Sequence, residues 1–326
     1  MKTTGFVNEE NINPSGTWSL GLLQMDFFYR KKPWYAGQFV RIISSKINIP
    51  LGAISFFTTI LNLQKKVLLN VLVRNVDKTF NNLTVNLPTK NGEIDFEFME
   101  SFVAELEAQR VAELEAYLLA TGLKDYELTD KEKQAIDNFD NVEWCEYRIG
   151  DLFEKIKTKK LSYKADDLPK IATTKYVLPC LTSSFKNQGL NYFVPEEGAT
   201  ILRNVISIPS NSDVYRAYFQ SRDFTVLSDA YAIRWKFKDI ELLEKHYLFI
   251  VLCINKVTDL PIYSHKNKLG GWNIVQNKYI QLPIKNGEID FEFMEFLISA
   301  VQKMVIKDVV LYADRKIKAT REVIER

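Results

Sequence analysis

The amino-acid sequence predicts an α+β protein in which two mixed blocks of short strands and helices are separated by two long helices. Three observations support this class. A 14-residue segment occurs twice, a long helical pattern follows each occurrence, and short strand-like runs broken by turn residues lie between them. The chain has 326 residues, 46% hydrophobic and 26% charged, which is ordinary globular usage and long enough for about two domains.

The repeat relates residues 87–100, LPTKNGEIDFEFME, to residues 282–295, LPIKNGEIDFEFME. Thirteen of the 14 positions are identical, so the chain contains a duplicated unit. Each copy has an Asn-Gly turn signal, followed by Asp95 or Asp290 at the position of a helix N-cap. The sequence therefore predicts that the same turn and helix start occur twice.

The helix after the first copy is predicted over Phe96–Ala120, and the helix after the second runs from Phe291 toward Arg326. Apolar residues spaced by three or four form a stripe on each helix: Val103, Leu106, Val111, Leu114 and Leu118 on the first, and Leu297, Val301, Val305, Val309 and Tyr312 on the second. The stripes fit two arrangements: each helix packs on its own block, or the two pack together as antiparallel, coiled-coil-like helices. A short helix after Thr129 is predicted from a capping box with Glu132.

The predicted segments are a first block over residues 1–88, a helical segment over 89–143, a second block over 144–283 and a second helix over 284–326. Strand-like runs in the second block cover Tyr176–Leu181, Thr200–Ile208, Phe224–Val226, Tyr231–Trp235 and Tyr279–Leu282, and a helix is predicted over Ile240–Lys256. The first block repeats the second in degraded form: Phe56–Asn62 matches Phe249–Asn255, and Gln38–Ile42 matches Asp229–Ile233. We therefore expect a shortened first block without counterparts of about 50 residues, 144–193.

Several classes of protein are excluded by what the sequence lacks. Its three cysteines and two histidines do not have the spacing of a structural zinc site, and no Cys-x-x-Cys occurs. It has no Gly-x-Gly fingerprint, no Asn-Pro-Pro or Asp-Pro-Pro methyltransferase motif, and no Pro-Asp pair of a nuclease. The missing motifs therefore favour a protein that binds a partner over one that catalyses a reaction. The longest apolar run, Tyr247–Ile254, is too short to span a membrane, and the N-terminus is not of signal-peptide type, so we expect a cytoplasmic protein.

Charge is unevenly distributed along the chain. Residues 1–88 carry +6, residues 89–143 carry −10, residues 144–283 carry +6, and residues 284–326 are neutral. Basic, polar loops fit phosphate and base contacts, although the same composition also suits a solvated surface. The candidate DNA-binding residues are Lys157, Lys159, Lys160, Thr182, Ser183, Ser184, Lys186, Asn187, Asn211, Arg216, Arg222, His265, Lys266 and Lys268. The first block keeps one such patch, Tyr29–Lys32.

Four features together resemble the specificity subunit of type I restriction–modification systems and the related subunits of BcgI-like systems. They are the box Trp144–Phe153, the polar loop Pro179–Gly189, the box Phe224–Ala230, and Ile280–Pro283 leading into a long helix, which occurs twice. The resemblance covers essentially the whole chain. It implies two target-recognition domains, the first N-terminally truncated, that read the two halves of a split DNA site while the helices set the spacing.

The resemblance also implies partners. They are double-stranded DNA, two modification (methyltransferase) subunits that bind S-adenosylmethionine, and a restriction subunit, with no cofactor on this chain. One alternative is an assembly or interaction protein that pairs or competes through its helices and has one functional half-site reader, with self-association as a form of it. A fused nuclease or methyltransferase is the other alternative, and the missing motifs argue against it.

Overall fold

The computed structural model describes residues 9–184, 186–210, 215–258 and 270–324, and the chain divides into two compact units. The first unit comprises residues up to Lys124 together with Val309–Arg326, and the second comprises Asp125–Asp308. The boundaries predicted at residues 88, 143 and 283 stay predictions. Among the described residues, no helix is both long enough and apolar enough to cross a membrane.

The first unit is built on a three-stranded antiparallel sheet. Its elements are β1 (Ile12–Asn13), β2 (Thr17–Gly21), β3 (Asp26–Arg30), β4 (Trp34–Tyr35), β5 (Val40–Ile43), α1 (Ile54–Leu63), α2 (Lys65–Leu69), α3 (Val76–Asn81), β6 (Thr89–Lys90), β7 (Glu93–Ile94) and α4 (Phe96–Ala120). The strand order is β3-β2-β5, and β1–β4 and β6–β7 are two-stranded pairs. Trp18, Leu20, Phe27 and Leu68 form its buried core.

The second unit has three small sheets. Its elements are α5 (Asp130–Asp137), β8 (Glu143–Arg148), α6 (Ile149–Leu152), β9 (Phe153–Lys155), β10 (Leu178–Leu181), β11 (Leu190–Val194), β12 (Val205–Pro209), β13 (Tyr218–Gln220), β14 (Thr225–Val226), β15 (Ala230–Trp235), α7 (Glu244–Thr258), α8 (Trp272–Val275), β16 (Tyr279–Lys285), β17 (Glu288–Ile289) and α9 (Phe291–Ile324), whose last part belongs to the first unit. The strand orders are β11-β10-β14, β13-β12-β15-β9 and β17-β16-β8, and α7 packs against strands of the last two sheets.

A polar clamp occurs in both units and supports the predicted duplication. In the second unit, the Asn255 side chain accepts from the Ala217 N–H at 2.7 Å and donates to the Ala217 carbonyl at 3.1 Å. In the first unit, Asn62 accepts from the Phe27 N–H at 2.9 Å and donates to its carbonyl at 3.0 Å. Each asparagine thus supplies both hydrogen bonds of a missing strand neighbour and fixes a helix to a strand edge.

A second contact, present in both units, shows which residues of the two copies correspond. The Ser207 hydroxyl, buried on β12, accepts from Gln220 Nε2 at 3.0 Å, and the Ser19 hydroxyl, buried on β2, accepts from Arg30 Nε at 2.8 Å. With the serines matched, β5 matches β15 so that Ile43 corresponds to Ile233. The predicted match of Gln38–Ile42 with Asp229–Ile233 was therefore wrong by one residue, although the pairing of the two strands was right.

The helix starts predicted from the repeat are confirmed. The Asp95 carboxylate accepts from the Phe98 N–H and the Asp290 carboxylate from the Phe293 N–H, both at 2.9 Å. The two Asn-Gly pairs have left-handed backbone at both residues, as a tight hairpin turn requires. The Thr129 capping box is formed in full.

Other element boundaries differ from the predictions. The helix expected from Ile240 begins at Glu244, where His246 Nδ1 accepts from the Leu243 N–H and satisfies an N-terminal donor. The predicted strand Thr200–Ile208 forms only from Val205, since Asn204 has left-handed backbone with φ 54° and Leu202 makes only an isolated bridge with Phe224. In the first unit, Thr84–Leu87 matches the strand run Tyr279–Leu282 in the repeat but is not a strand, because no described segment pairs with it.

The predicted apolar stripe of the last helix was wrong. Val305 is 73% exposed, and Val301, Val309 and Tyr312 are also exposed. The buried residues of this helix are Met294, Ile298, Ala300, Val310 and Ala313. Its packing surface changes along its length, so one fixed spacing does not describe it. Near its end, Lys316 pairs with Glu107 of α4 at 2.7 Å within the first unit.

Buried polar contacts fix α5 to α9 inside the second unit. Glu132 Oε1 accepts from the Ser299 hydroxyl at 2.6 Å, and Lys303 Nζ lies 3.1 Å from Glu132 Oε2 and 2.9 Å from Asp125. Burial alone would raise the pKa of Glu132. The hydrogen bonds from Ser299, from the Thr129 backbone and from Lys303 outweigh it and lower that pKa to about 2.

Replacing Asn255 with alanine should lower the free energy of unfolding by about 2 kcal/mol, because the Ala217 N–H and carbonyl lose their partners. Urea unfolding followed by tryptophan fluorescence measures this change. Lys256→Ala, at the next and exposed position of the same helix, should change stability by less than about 0.5 kcal/mol. Equal effects of the two substitutions would show that the clamp is not stabilising.

Glu132→Gln should destabilise the protein at neutral pH by about 2–3 kcal/mol, because it leaves half-buried Lys303 without one of its two anionic partners. The lowered pKa means that the carboxylate contributes fully above its ordinary value of 4.5 and loses this contribution as the pH falls toward about 2. Urea unfolding midpoints across this range should therefore fall less steeply in the variant. Asp130→Asn, which changes an exposed neighbour, should keep the parent's slope.

Candidate nucleic-acid interface

The first group of predicted residues lies on the segment that follows β9. Ile156 ties this segment to the sheet by donating its N–H to the Ala232 carbonyl at 2.9 Å. Lys157, Lys159 and Lys160 follow and are all exposed. The Lys159 N–H donates to Thr200 Oγ1 at 2.9 Å, so the segment is fixed by its backbone while the ammonium groups face solvent.

The second group lies on the loop that leaves β10. Thr182 is buried, with 8% of its surface exposed, and its N–H donates to the Gly189 carbonyl at 3.1 Å. Ser183 and Ser184 are half-buried, and Ser184 Oγ accepts from the Lys186 N–H at 3.1 Å. Lys186 and Asn187 are exposed.

The backbone of this loop is held in an unusual conformation. Asn187, Gln188 and Gly189 have φ values of 48°, 56° and 88°, three consecutive residues in the left-handed region. A Cβ on Gly189 would lie 3.1 Å from Leu181 Cδ2 and 3.2 Å from the Thr182 and Ser184 carbonyl oxygens, so only glycine fits there without displacement. The tight return presents the Lys186 and Asn187 side chains outward.

Gln220 connects the loop to the sheet. Its Nε2 donates to the Gln188 carbonyl at 3.4 Å as well as to Ser207 Oγ. Arg222 follows two residues later and is exposed. In the first unit Lys32 has the matching position, two residues after Arg30, and is also exposed. Both units therefore place a cation just beyond the strand end that the serine contact fixes.

The remaining predicted residues are less informative. Arg216 is exposed beside the Asn255 clamp. Asn211, His265, Lys266 and Lys268 lie outside the described residues.

The exposed cations are not neutralised by neighbouring acids. Within the described ranges, no carboxylate lies within ion-pairing distance of Lys157, Lys159, Lys160, Lys186 or Arg222. By contrast, Arg203 pairs with Asp223 at 2.7 Å and Arg234 with Glu154 at 2.7 Å. The cations left without acidic partners are those available for phosphate contacts.

An apolar groove of about 710 Å³ lies elsewhere in the second unit, with Trp144, Phe249, Leu252, Tyr279 and Leu297 among its lining residues. None of the predicted DNA-binding residues lines it. No cluster of three or more His, Cys, Asp or Glu that could hold a metal occurs in the part of the chain that the structure describes. Burial raises the pKa of the Cys180 and Cys253 thiols to about 12, so both are protonated at neutral pH.

Comparison with protein families gives a match over most of the chain. The family described as the type I restriction modification DNA specificity domain matches residues 1–116 and 141–310. The chain belongs to this family. The resemblance predicted from the repeat and the four boxes is thereby confirmed, as is a role in DNA sequence specificity at the level of the family. No curated protein matches the chain significantly.

Solved structures resemble the chain at low identity. The S subunit of a type I restriction-modification system from M. genitalium is 11% identical, and the match covers 99% of this chain and 90% of that chain. Its TM-score of 0.52 shows a shared fold and confirms the mixed α+β class. The HsdS subunit from Thermoanaerobacter tengcongensis is 11% identical, with 93% and 76% covered and a TM-score of 0.34. A chain from a structure on complex assembly and conformational transition of the type I R-M system is 12% identical, with 96% and 80% covered and a TM-score of 0.38.

Sequence reasoning missed the residues that shape the polar loop. Gln188 and Gln220 were not predicted, although the first has left-handed backbone and the second holds it in place. The Asn-Gln-Gly sequence is a turn signal, but it does not reveal which distant side chain will fix the turn. Asn191, whose Nδ2 donates to the Lys186 carbonyl at 3.2 Å, was also missed.

Gly189→Ala should weaken specific DNA binding by more than about tenfold, because the added Cβ displaces the loop that presents Lys186 and Asn187. Fluorescence anisotropy with a duplex that contains the recognised site measures the loss. Gly198→Ala is the matched control, since Gly198 also has positive φ, +78°, but open space around it. Equal losses for both variants would mean that backbone strain alone, rather than the shape of the loop, sets the affinity.

Proposed function

We propose that this chain is the non-catalytic specificity subunit of a restriction–modification complex, and that its second unit is the principal reader of DNA bases. The observation that supports this most directly is the set of exposed cations without acidic partners beside a rigid polar loop, in a chain of the specificity-domain family. Lysine and arginine neutralise phosphates, and asparagine, serine and arginine hydrogen-bond to base edges.

The residues divide by role. Lys157, Lys159 and Lys160, on a backbone-anchored segment, position the duplex through its phosphates. Ser183, Ser184 and the Lys186–Asn187 pair approach base edges. Buried Thr182 holds the loop through its backbone. Arg222 supplies a further cation to the same surface.

We further propose that the site on DNA is bipartite and that the first unit contacts its other half. The serine contact and the asparagine clamp show the same strand and helix arrangement in both units, and Lys31 and Lys32 correspond to Ser221 and Arg222. The α4 and α9 helices would separate the halves as antiparallel, coiled-coil-like helices. At 1.5 Å per residue, the 25 residues of α4 span about 38 Å, close to one turn of DNA.

The proposed partners are double-stranded DNA, two modification subunits that bind S-adenosylmethionine and methylate adenine, and a restriction subunit. The chain itself is proposed to need no cofactor. The second candidate function is an assembly protein with one functional half-site reader, which pairs with another copy or competes through its helices. The fewer strands of the first unit favour it, since no described segment there corresponds to β10 and β11.

Genome-wide mapping of adenine methylation tests these proposals, in a host that expresses the chain with its modification subunit. A split motif with two different halves would support the bipartite reader. A palindromic motif would support pairing of two copies through one reader each. An intact complex without methylation would support the assembly protein, and failure to form any complex would overturn the proposed function.

Replacing Lys157, Lys159 and Lys160 together with glutamine should weaken binding to all DNA sequences. The slope of log affinity against log salt should become shallower by about 0.9 for each phosphate that the variant no longer neutralises, measured by anisotropy between about 50 and 200 mM salt. The same three-lysine change at Lys238, Lys256 and Lys285, exposed elsewhere in the second unit, should leave the slope unchanged.

Asn187→Ala should act differently from the lysine substitutions. It should reduce discrimination between the recognised sequence and single-base variants by about 1–3 kcal/mol while leaving the salt slope unchanged. A competition assay with variant duplexes measures the discrimination. A lower affinity that is uniform across sequences would assign Asn187 to phosphate positioning instead.

A further inference from the structure

In the second unit a single segment, residues 143–155, covers the edges of two sheets. Its first strand, β8, pairs with β16 through six residue pairs, from Glu143 with Ile284 to Arg148 with Tyr279. Its last strand, β9, pairs with the outer edge of β15. The side chains of Ile149, Leu152 and Phe153 enter the core of the unit.

The turn between these strands is fixed by two carbonyl groups. The Ile149 N–H donates to the Lys278 carbonyl at 2.9 Å, and the Gly150 N–H donates to the Gln276 carbonyl at 2.8 Å. A Cβ on Gly150 would lie 2.8 Å from the Gln276 oxygen, so the fit is close. Hydrogen bonds to these two carbonyls therefore hold the segment in place together with its apolar contacts.

The first unit has counterparts of these two acceptor carbonyls. The Asn82 N–H donates to the Thr79 carbonyl and the Leu83 N–H to the Phe80 carbonyl, the same turn that Asn277 and Lys278 make with Ile274 and Val275. This match, at the repeat spacing of 195, makes the Asn81 and Leu83 carbonyls the counterparts of those of Gln276 and Lys278. Within residues 9–124, no N–H group donates to either of them.

The outer edge of the sheet in the first unit also has no described strand paired with it. β5 is the counterpart of β15 and is an edge strand of the described sheet. Phe39, just before β5, accepts from the Leu22 N–H at 2.9 Å, on the side of β2. Backbone groups of alternate residues face the same side of a strand, so Arg41 also faces β2 and Ile42 faces the outer side. Ile42 corresponds to Ala232, whose carbonyl accepts from the Ile156 N–H just after β9.

Apolar side chains on this face of the first unit remain partly exposed. Ile280 and Leu282 of β16 are 1% and 0% exposed, whereas their counterparts Val85 and Leu87 are only half-buried. Ile42 on the free edge is 44% exposed. The second unit therefore shows what covers this face: an extended segment with a turn, apolar at the positions of Trp144, Ile149, Leu152 and Phe153.

We propose that the first unit has a docking site for a strand–turn–strand segment that none of its described residues supplies, with the apolar pattern of residues 144–153. The segment pairs with the outer edge of β5 and with the extended residues 84–88, and its turn donates to the Asn81 and Leu83 carbonyls. Docking by strand addition gives backbone hydrogen bonds, and the apolar positions supply selectivity.

A fluorescein-labelled peptide with the sequence of residues 142–157, added to the full chain, tests the site. We expect saturable binding by anisotropy and, by hydrogen exchange with mass spectrometry, slower exchange across β5. The same peptide with Ile149→Asp and Phe153→Asp should bind more than about tenfold more weakly, because burial of its apolar side chains is lost.

A matched pair of variants of the chain locates the contact. Ile42→Pro removes the outward-facing N–H and should abolish peptide binding, whereas Ile42→Thr keeps that donor and should retain it. If Ile42→Pro does not fold, the exchange pattern in the parent chain decides. Absence of saturable binding, equal binding by the proline variant, or protection at β15 in place of β5 would each overturn the proposal. A self-dimer that Ile42→Pro dissociates, without peptide binding, would assign the site to a second copy instead.

Discussion

The second unit depends on the pairing of β8 with β16. These strands lie at the two ends of the block, yet six residue pairs hold them together, and Trp144 on β8 stacks on Phe249 of α7. The pairing brings the entry and the exit of the chain to one side of the unit, where α5 and α9 meet through Glu132, Ser299 and Lys303. The loops that carry the exposed cations are free to vary because none of these contacts involves them.

Two polar contacts explain how one scaffold occurs twice with little shared sequence. The asparagine clamp needs one side chain with a donor and an acceptor, and the serine contact needs a buried hydroxyl with a donor across the strand. The donor to the serine hydroxyl is a guanidinium group in Arg30 and a side-chain amide in Gln220. Most apolar positions between them need only suitable volume, so their identities diverge while the register is kept.

Much of the local structure was predictable from sequence because short-range chemistry determines it. The aspartate N-caps, the Asn-Gly turns, the Thr129 capping box and the length of α4 all follow from residues within four positions of one another. The stripe of α9 was not, because it depends on which distant element packs against each residue. The start of α7 was missed although a local contact, Leu243 with His246, marks it. In the candidate site, Lys157 and Lys159 are exposed and their role in DNA binding stays a prediction. The fixing of Gln188 by Gln220 joins residues 32 positions apart, which no local pattern reveals.

The difference between the units has a mechanical consequence for DNA recognition. In the second unit β9 continues directly from α6, and Lys157, Lys159 and Lys160 follow this strand, which is paired with β15 and buried at Phe153. The first unit has its cations at Lys31 and Lys32, beyond a strand end fixed by Ser19, but its outer edge at β5 has no described partner. An added strand pairs the N–H and C=O groups that an edge strand leaves unpaired, so the former edge strand is held on both sides. Occupation of the β5 edge would therefore stiffen the support of the Lys31–Lys32 patch, which links docking at that edge to the proposed contact of the first unit with DNA.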